Sequence, residues 1–270
     1  MDFENVVDFD RYRTNQKQKR LTLKIPGQVA NSGSRPFLGW ASDDQSYWCK
    51  RVRSDHGVEA VVNEIAAALI GDAIGAPVRP WAIIEVPSVL VGERLTDRGY
   101  ALDGLPLFGS LNLHTSDVTE NPSVIAHVND DSNDHRLPRL IALWCLCNAE
   151  DIQYMFDRAE EFTVWSVDHG FWFGSLEKAW GFGNPDQSYG RPDIPALRTP
   201  IGTHHWDQAI EAVEKVDIEL INDLHNAVPE EWGVEADALN RLISYAVERK
   251  SYTQDTLAEL RDRSIRSSRR

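Results

Sequence analysis

Residues 58–78, VEAVVNEIAAALIGDAIGAPV, repeat Val58, Val61, Val62, Ile65 and Leu69 at three- and four-residue steps and then stop at Gly75 and Pro77. That spacing predicts an amphipathic helix with a defined end. Strand signals flank it. YWCKRV (47–52) has aromatic and β-branched content and follows FLGWA across a DDQS turn, which predicts a hairpin, while RPWAIIEVP (79–87) and VLVGERL (89–95) read as further strands. The stretch IPGQVANSGSRP (25–36) is rich in Gly, Ser and Pro and predicts a loop before the hairpin. One helix set among strands within the first ninety residues excludes all-α and all-β architectures and predicts a small α+β unit.

The rest reads differently. Residues 99–138 are turn-rich; NDDSNDH (129–135) lacks the glycine and the final glutamate of a calcium loop and reads as a solvated loop. LPRLIALWCLCNA (137–149) predicts a buried helix, FTVWSVDHGFWFG (162–174) a strand running into a turn, and residues 206–263 two or three more helices. The second half is therefore mostly helical.

Charge narrows the partners. The 270 residues carry a net charge of −14, and the excess is uneven: residues 1–10 hold four acids, 11–24 six bases, and 249–270 seven bases against three acids, which leaves −20 for residues 25–248. Such a core disfavours nucleic acid and anionic membrane surfaces, although basic ends can meet an acidic partner. The final SIRSSRR reads as a polar, frayed tail. Three cysteines, Cys49, Cys145 and Cys147, are an odd number in a long chain and point to a reducing, cytoplasmic setting rather than a disulfide framework. No apolar run approaches the roughly 20 residues of a membrane span.

The phosphate loop, zinc-protease and nucleophile-elbow signatures are missing. Cys145 and Cys147 lie in an apolar helix and read as small hydrophobes; His204 and His205 read as polar surface residues. Three separated features do gain from being read together. Ser32, Gly33 and Ser34 stand at a flexible turn whose N–H groups suit phosphate oxygens. Lys50 in a strand precedes Glu64 in the helix by fourteen residues, the order in which a strand lysine reaches phosphates while a glutamate holds it. Asp168, at a strand end and followed two residues on by Gly170, suits Mg²⁺.

On GSRP (33–36), YWCKRV (47–52), NEIAAALIGDAIGAPV (63–78), DHG (168–170) and AVPEEWG with its following helix, the chain resembles the HipA-like kinases, relatives of the protein kinase fold. The resemblance covers about residues 25–260 and implies an α+β, two-lobed protein-kinase-like fold. Its small β-rich N-lobe would span 25–98 and its mostly helical C-lobe 99–260, flanked by an extension (1–24) and a basic tail (261–270). It further implies Mg²⁺-ATP in the cleft, phosphoryl transfer to a protein Ser or Thr, and a protein substrate or regulatory protein partner. Lys50 would contact phosphates, Glu64 would pair with it and Asp168 would bind metal.

The catalytic loop departs from the family pattern N-x-D-R-x-x-x-N. Residues 148–155 place Glu150 where the acceptor-orienting Asp belongs, Asp151 in place of Arg, and Met155 in place of the metal Asn. Methionine offers Mg²⁺ no hard oxygen. A shifted alignment gives the acid role to Asp151 and the metal role to Gln153, and both alignments stand open in the sequence. The departure also admits a catalytically impaired pseudokinase that binds nucleotide or a partner.

Overall fold

The computed structural model describes residues 20–95, 101–120, 123–175, 180, 182 and 190–267. Its first strand, β1 (Arg20–Val29), occupies much of the stretch expected to be a loop. Leu21 and Leu23 alternate with Arg20, Thr22 and Lys24, so the last five residues of the stretch expected as an extension are strand with one apolar face. It pairs antiparallel with β2 (Phe37–Ala41), which forms the expected hairpin with β3 (Ser46–Lys50). The strand β4 (Trp81–Glu85) pairs with β5 (Leu107–Leu111), which lies in the turn-rich middle, and β5 also pairs with β3. Parallel pairing of Arg20, Leu21 and Thr22 with Ile83, Ile84 and Glu85 closes a barrel in the order β1-β2-β3-β5-β4. The segment expected as a strand at 89–95 is not one: a single 3₁₀ turn, Ser88–Leu90, follows Pro87.

The barrel is narrow. Leu21, Leu23, Phe37, Tyr47, Cys49, Ile84 and Leu107 fill it, and a Cβ on Gly39 would lie 2.8 Å from Leu23 Cδ1 and 2.9 Å from Cys49 Sγ. Outward-facing Ile83 and Phe108 pack instead into the main core beneath helix α1 (Gly57–Ile74). That helix runs as its periodicity predicts and ends on Gly75, whose left-handed conformation (φ 74°) turns its N–H back to Asp72 and Gly71 carbonyls.

Two short strands, β6 (Ser116–Glu120) and β7 (Val124–Ile125), lead to helix α2 (Asn133–Cys147), which is buried along most of its length. It starts earlier than expected, inside NDDSNDH. Asn133 is buried and bonds the His127 and Phe162 carbonyls and the Val164 N–H, and Asp131 meets Arg136 at 2.9 Å, so this segment is tied down rather than merely solvated. The strands β8 (Gln153–Asp157) and β9 (Thr163–Val167) form a hairpin that β6 extends to three strands. After β10 (Ala196–Leu197) come α3 (Thr203–Val213), α4 (Leu220–Ala227), α5 (Ala236–Glu248) and α6 (Lys250–Ser267); α3, α5 and α6 pack on α2, and α4 packs on α1 and α5. Helix α6 carries the expected frayed tail as regular helix to Ser267; residues 268–270, like 1–19, lie outside the described residues. No helix among the described residues is long and apolar enough to cross a membrane.

Candidate functional site

The end of β3, the second turn of α1 and the turn after β9 converge on one ammonium group. Lys50 Nζ donates to Glu64 Oε1 and, at 2.5 Å, to Asp168 Oδ1. Lys50 and Glu64 are nearly buried, with side chains 13% and 4% exposed, whereas Asp168 is 37% exposed and opens toward solvent. Burial alone would raise the Glu64 carboxyl, but Lys50 and His169 outweigh it and hold Glu64 at about 2. Burial would likewise lower the Lys50 ammonium, and Asp168 and Glu64 together push it upward instead. Lys50 is thus a permanent cation with three N–H donors, two of them taken.

Glu64 holds more than Lys50. It accepts the His169 N–H at 3.1 Å, and its Oε2 stands 3.0 Å from His169 Nδ1, while His169 Nε2 meets Ser166 Oγ at 2.9 Å. One helix residue therefore fixes both the strand lysine and the residue next to Asp168.

The Ser32-Gly33-Ser34 turn links β1 to β2, closed by Ala30 N–H on the Pro36 carbonyl and Arg35 N–H on that of Ser32. Ser32 and Gly33 are exposed. A Cβ on Gly33 would come within 3.1 Å of His56 Nε2, and the His56 ring lies 4.7 Å from that of Phe171, in the turn after Asp168. Through His56 the Gly/Ser turn and the Asp168 turn come together. His56 was invisible as a site residue because a lone histidine before a helix carries no pattern.

The loop from Asn148 to Ile152 joins α2 to β8. Asn148 caps α2 with positive φ (49°) and is buried, and neither of its amide atoms has a hydrogen-bond partner among the described residues. Glu150 is exposed, and its charge helps raise the Tyr245 phenol on α5 after burial. Asp151 is half-buried: its Oδ2 accepts from Gln153 Nε2 at 2.8 Å and its carbonyl meets Trp172 Nε1 at 3.5 Å. Gln153 stands opposite Val167, the residue before Asp168, whereas Met155 stands opposite Trp165, two positions further away.

Among the described residues no group of three or more His, Cys, Asp or Glu is arranged to hold a metal. The partly exposed Asp168 carboxylate is the oxygen donor nearest Lys50 that opens toward solvent. A donor set this thin fits Mg²⁺ when phosphates and water complete the octahedron. His205 does have an acidic neighbour, Asp134 Oδ2 at 3.2 Å, but the two stand at the start of α3 and of α2, and both Cys145 and Cys147 are buried free thiols.

Residues 23–134 match the sequence model of the HipA-like kinase family, so the resemblance read from the sequence is borne out over the barrel, α1 and the entry to α2. No curated protein sequence matches the chain. Among solved structures, the Helicobacter pylori proinflammatory kinase CtkA superposes with a TM-score of 0.52 at 11% identity, covering 91% of this chain and 99% of that one. The Golgi casein kinase gives a TM-score of 0.46 at 11% identity, covering 89% of this chain and 74% of its own. The chain has a mixed α+β, kinase-like fold.

Proposed function

We propose that the chain is a two-lobed HipA-like kinase that binds Mg²⁺-ATP between the barrel and the helical body and transfers phosphoryl to a protein Ser or Thr. The observation that carries this reading is the Lys50 ammonium held between buried Glu64 and partly exposed Asp168. Lys50 keeps one donor for a phosphate oxygen, and Glu64 prevents the lysine from folding away. The Ser32, Gly33 and Ser34 N–H groups make no backbone hydrogen bond among the described residues, and Gly33 reaches the turn after Asp168 through His56, which suits a phosphate cradle. Mg²⁺, when bound, would neutralise charge on the transferring phosphate.

The register of β8 and β9 supports the shifted catalytic loop. Gln153 stands opposite Val167, one residue from Asp168, and Met155 opposite Trp165, three residues from it; the shifted loop accordingly gives the metal role to Gln153 and the acceptor-orienting role to Asp151, whose carboxylate accepts from the Gln153 amide. Glu150, exposed and felt by Tyr245, is left outside that pair. The second reading, a pseudokinase serving a regulatory partner, draws on the same loop, because an amide and a displaced aspartate replace the family residues. A thermal-shift titration with Mg²⁺-ATP tests nucleotide binding: at about 100 times the dissociation constant the ligand adds roughly 2.7 kcal/mol. Labelled ATP then separates the readings. Incorporation lost in Asp151→Asn and kept in Glu150→Gln supports the kinase with this loop, and binding without incorporation supports the pseudokinase.

A further inference from the structure

Asp168 sits in the left-handed region (φ 56°), a conformation that its surroundings must impose. What imposes it is a pair of adjacent residues on α1. On one side of the turn Glu64 takes the His169 N–H. On the other, Asn63, fully buried, brings Nδ2 within 2.9 Å of the Gly170 carbonyl, 3.0 Å of the Trp172 carbonyl and 2.7 Å of Ser175 Oγ. Its Oδ1 accepts from Trp180 Nε1 at 2.7 Å. An amide nitrogen has two hydrogens for these three acceptors, and the Ser175 hydroxyl, 3.0 Å from Gly170 O and 2.8 Å from Trp172 O, takes up the remaining carbonyl. Ala60, one turn earlier on the same face, lies against Gly170: a Cβ there would come 3.4 Å from Ala60 Cβ.

We infer that Asn63 is a positioning residue for the metal-binding turn: it holds the carbonyls after Asp168 so that the carboxylate faces the site with α1 and the turn acting as one body. The inference rests on the kinase reading for the role of Asp168 but concerns a residue that touches neither nucleotide nor metal. In sequence Asn63 opens the NEIAAALIGDAIGAPV stretch with no role of its own, and a helix-interior asparagine has no reason to be favoured there except its bonds.

The test measures ADP affinity by calorimetry with and without Mn²⁺. Asn63→Ala should cut the gain in ADP affinity that Mn²⁺ provides by about tenfold or more, the usual scale for a residue that orients a metal ligand. Binding of metal-free ADP should stay within about twofold, because Lys50 and the Gly/Ser turn are untouched. If Asn63→Ala does not fold, Ser175→Ala removes one strut and should reduce the Mn²⁺ gain in the same direction. Either folded variant retaining the wild-type gain overturns the positioning role while leaving the kinase reading intact. Wild-type protein that binds no ADP under either condition removes the kinase reading, and this role with it.

Discussion

Replacing Lys50 with methionine is the sharpest perturbation of the site, because one ammonium serves two carboxylates. Glu64 is held at about 2 rather than near its ordinary 4.5. A displacement of about two and a half pH units corresponds to roughly 3 kcal/mol of stability. Its sign is that of a depressed carboxyl: the contribution is complete above about pH 4.5 and disappears as pH falls toward 2. Lys50→Met removes the largest attraction and leaves burial opposed by His169 alone, so the Glu64 carboxyl rises and its charge becomes a liability at neutral pH. We expect a loss of about 3–5 kcal/mol at pH 7, the scale for one orphaned member of a buried pair. At pH 5, where Glu64 can protonate in the variant but stays ionised in the wild type, the loss should be smaller. Adding Glu64→Gln to Lys50→Met should recover part of it, whereas Glu64→Gln alone should destabilise. Urea unfolding of the four proteins at pH 7 and pH 5 gives the double-mutant cycle. Additive losses within about 0.5 kcal/mol, equal at both pH values, would refute the account of Glu64 as a buried anion supported by Lys50.

Three further outcomes follow from packing. Burial pushes the Cys145 thiol up to about 12 and Cys147 well above its ordinary value, so neither should react with a thiol reagent at pH 8 until urea unfolds the chain. Gly39→Ala would place a methyl against Leu23 and Cys49 inside the barrel and should cost about 1–3 kcal/mol, read as a lower Tm by calorimetry. Arg249, fully buried, donates to the carbonyls of Cys145 and Gly190 at 2.6 Å each and to the Tyr245 hydroxyl at 3.1 Å. Arg249→Leu orphans those acceptors, at about 1–3 kcal/mol for each carbonyl, and should lower the urea midpoint accordingly.

What the sequence revealed was local. The hairpin of β2 and β3, the α1 periodicity and its Gly75 stop are all decided within a dozen or so residues, and each is where the pattern puts it. The strand β1 was hidden because Arg20 and Lys24 flank Leu21 and Leu23 and make them read as part of a charged run, and β5 because Leu107–Leu111 is short and set among turns. Both owe their place to pairing with strands far along the chain, which no short window contains. The site divided in the same way. Lys50 and Glu64 stand out through a strand-to-helix spacing, and Asp168 through its strand end. Asn63 and His56 matter only through the turn near residue 170, more than a hundred positions away. The loop alignment is open in the sequence because Gln153 and Met155 share one face of β8 and their separations from Asp168 depend on the pairing with β9.

The parallel closure of β1 on β4 has a consequence for the order in which the chain matures. Arg20 waits for Ile83, and β3, which carries Lys50, waits for β5, so no barrel can form until about residue 111 has been synthesised. Once the barrel closes, every strand in it has both of its neighbours and offers no bare edge to another chain. The outer face is still unfinished, since Ile83, Phe108 and the buried side of α1 share a core with Leu140 and Leu143 of α2. A barrel that closed before α2 was made would therefore carry a greasy flank, sealed against strand addition but not against adhesion. That flank is covered when α2 arrives some thirty residues later.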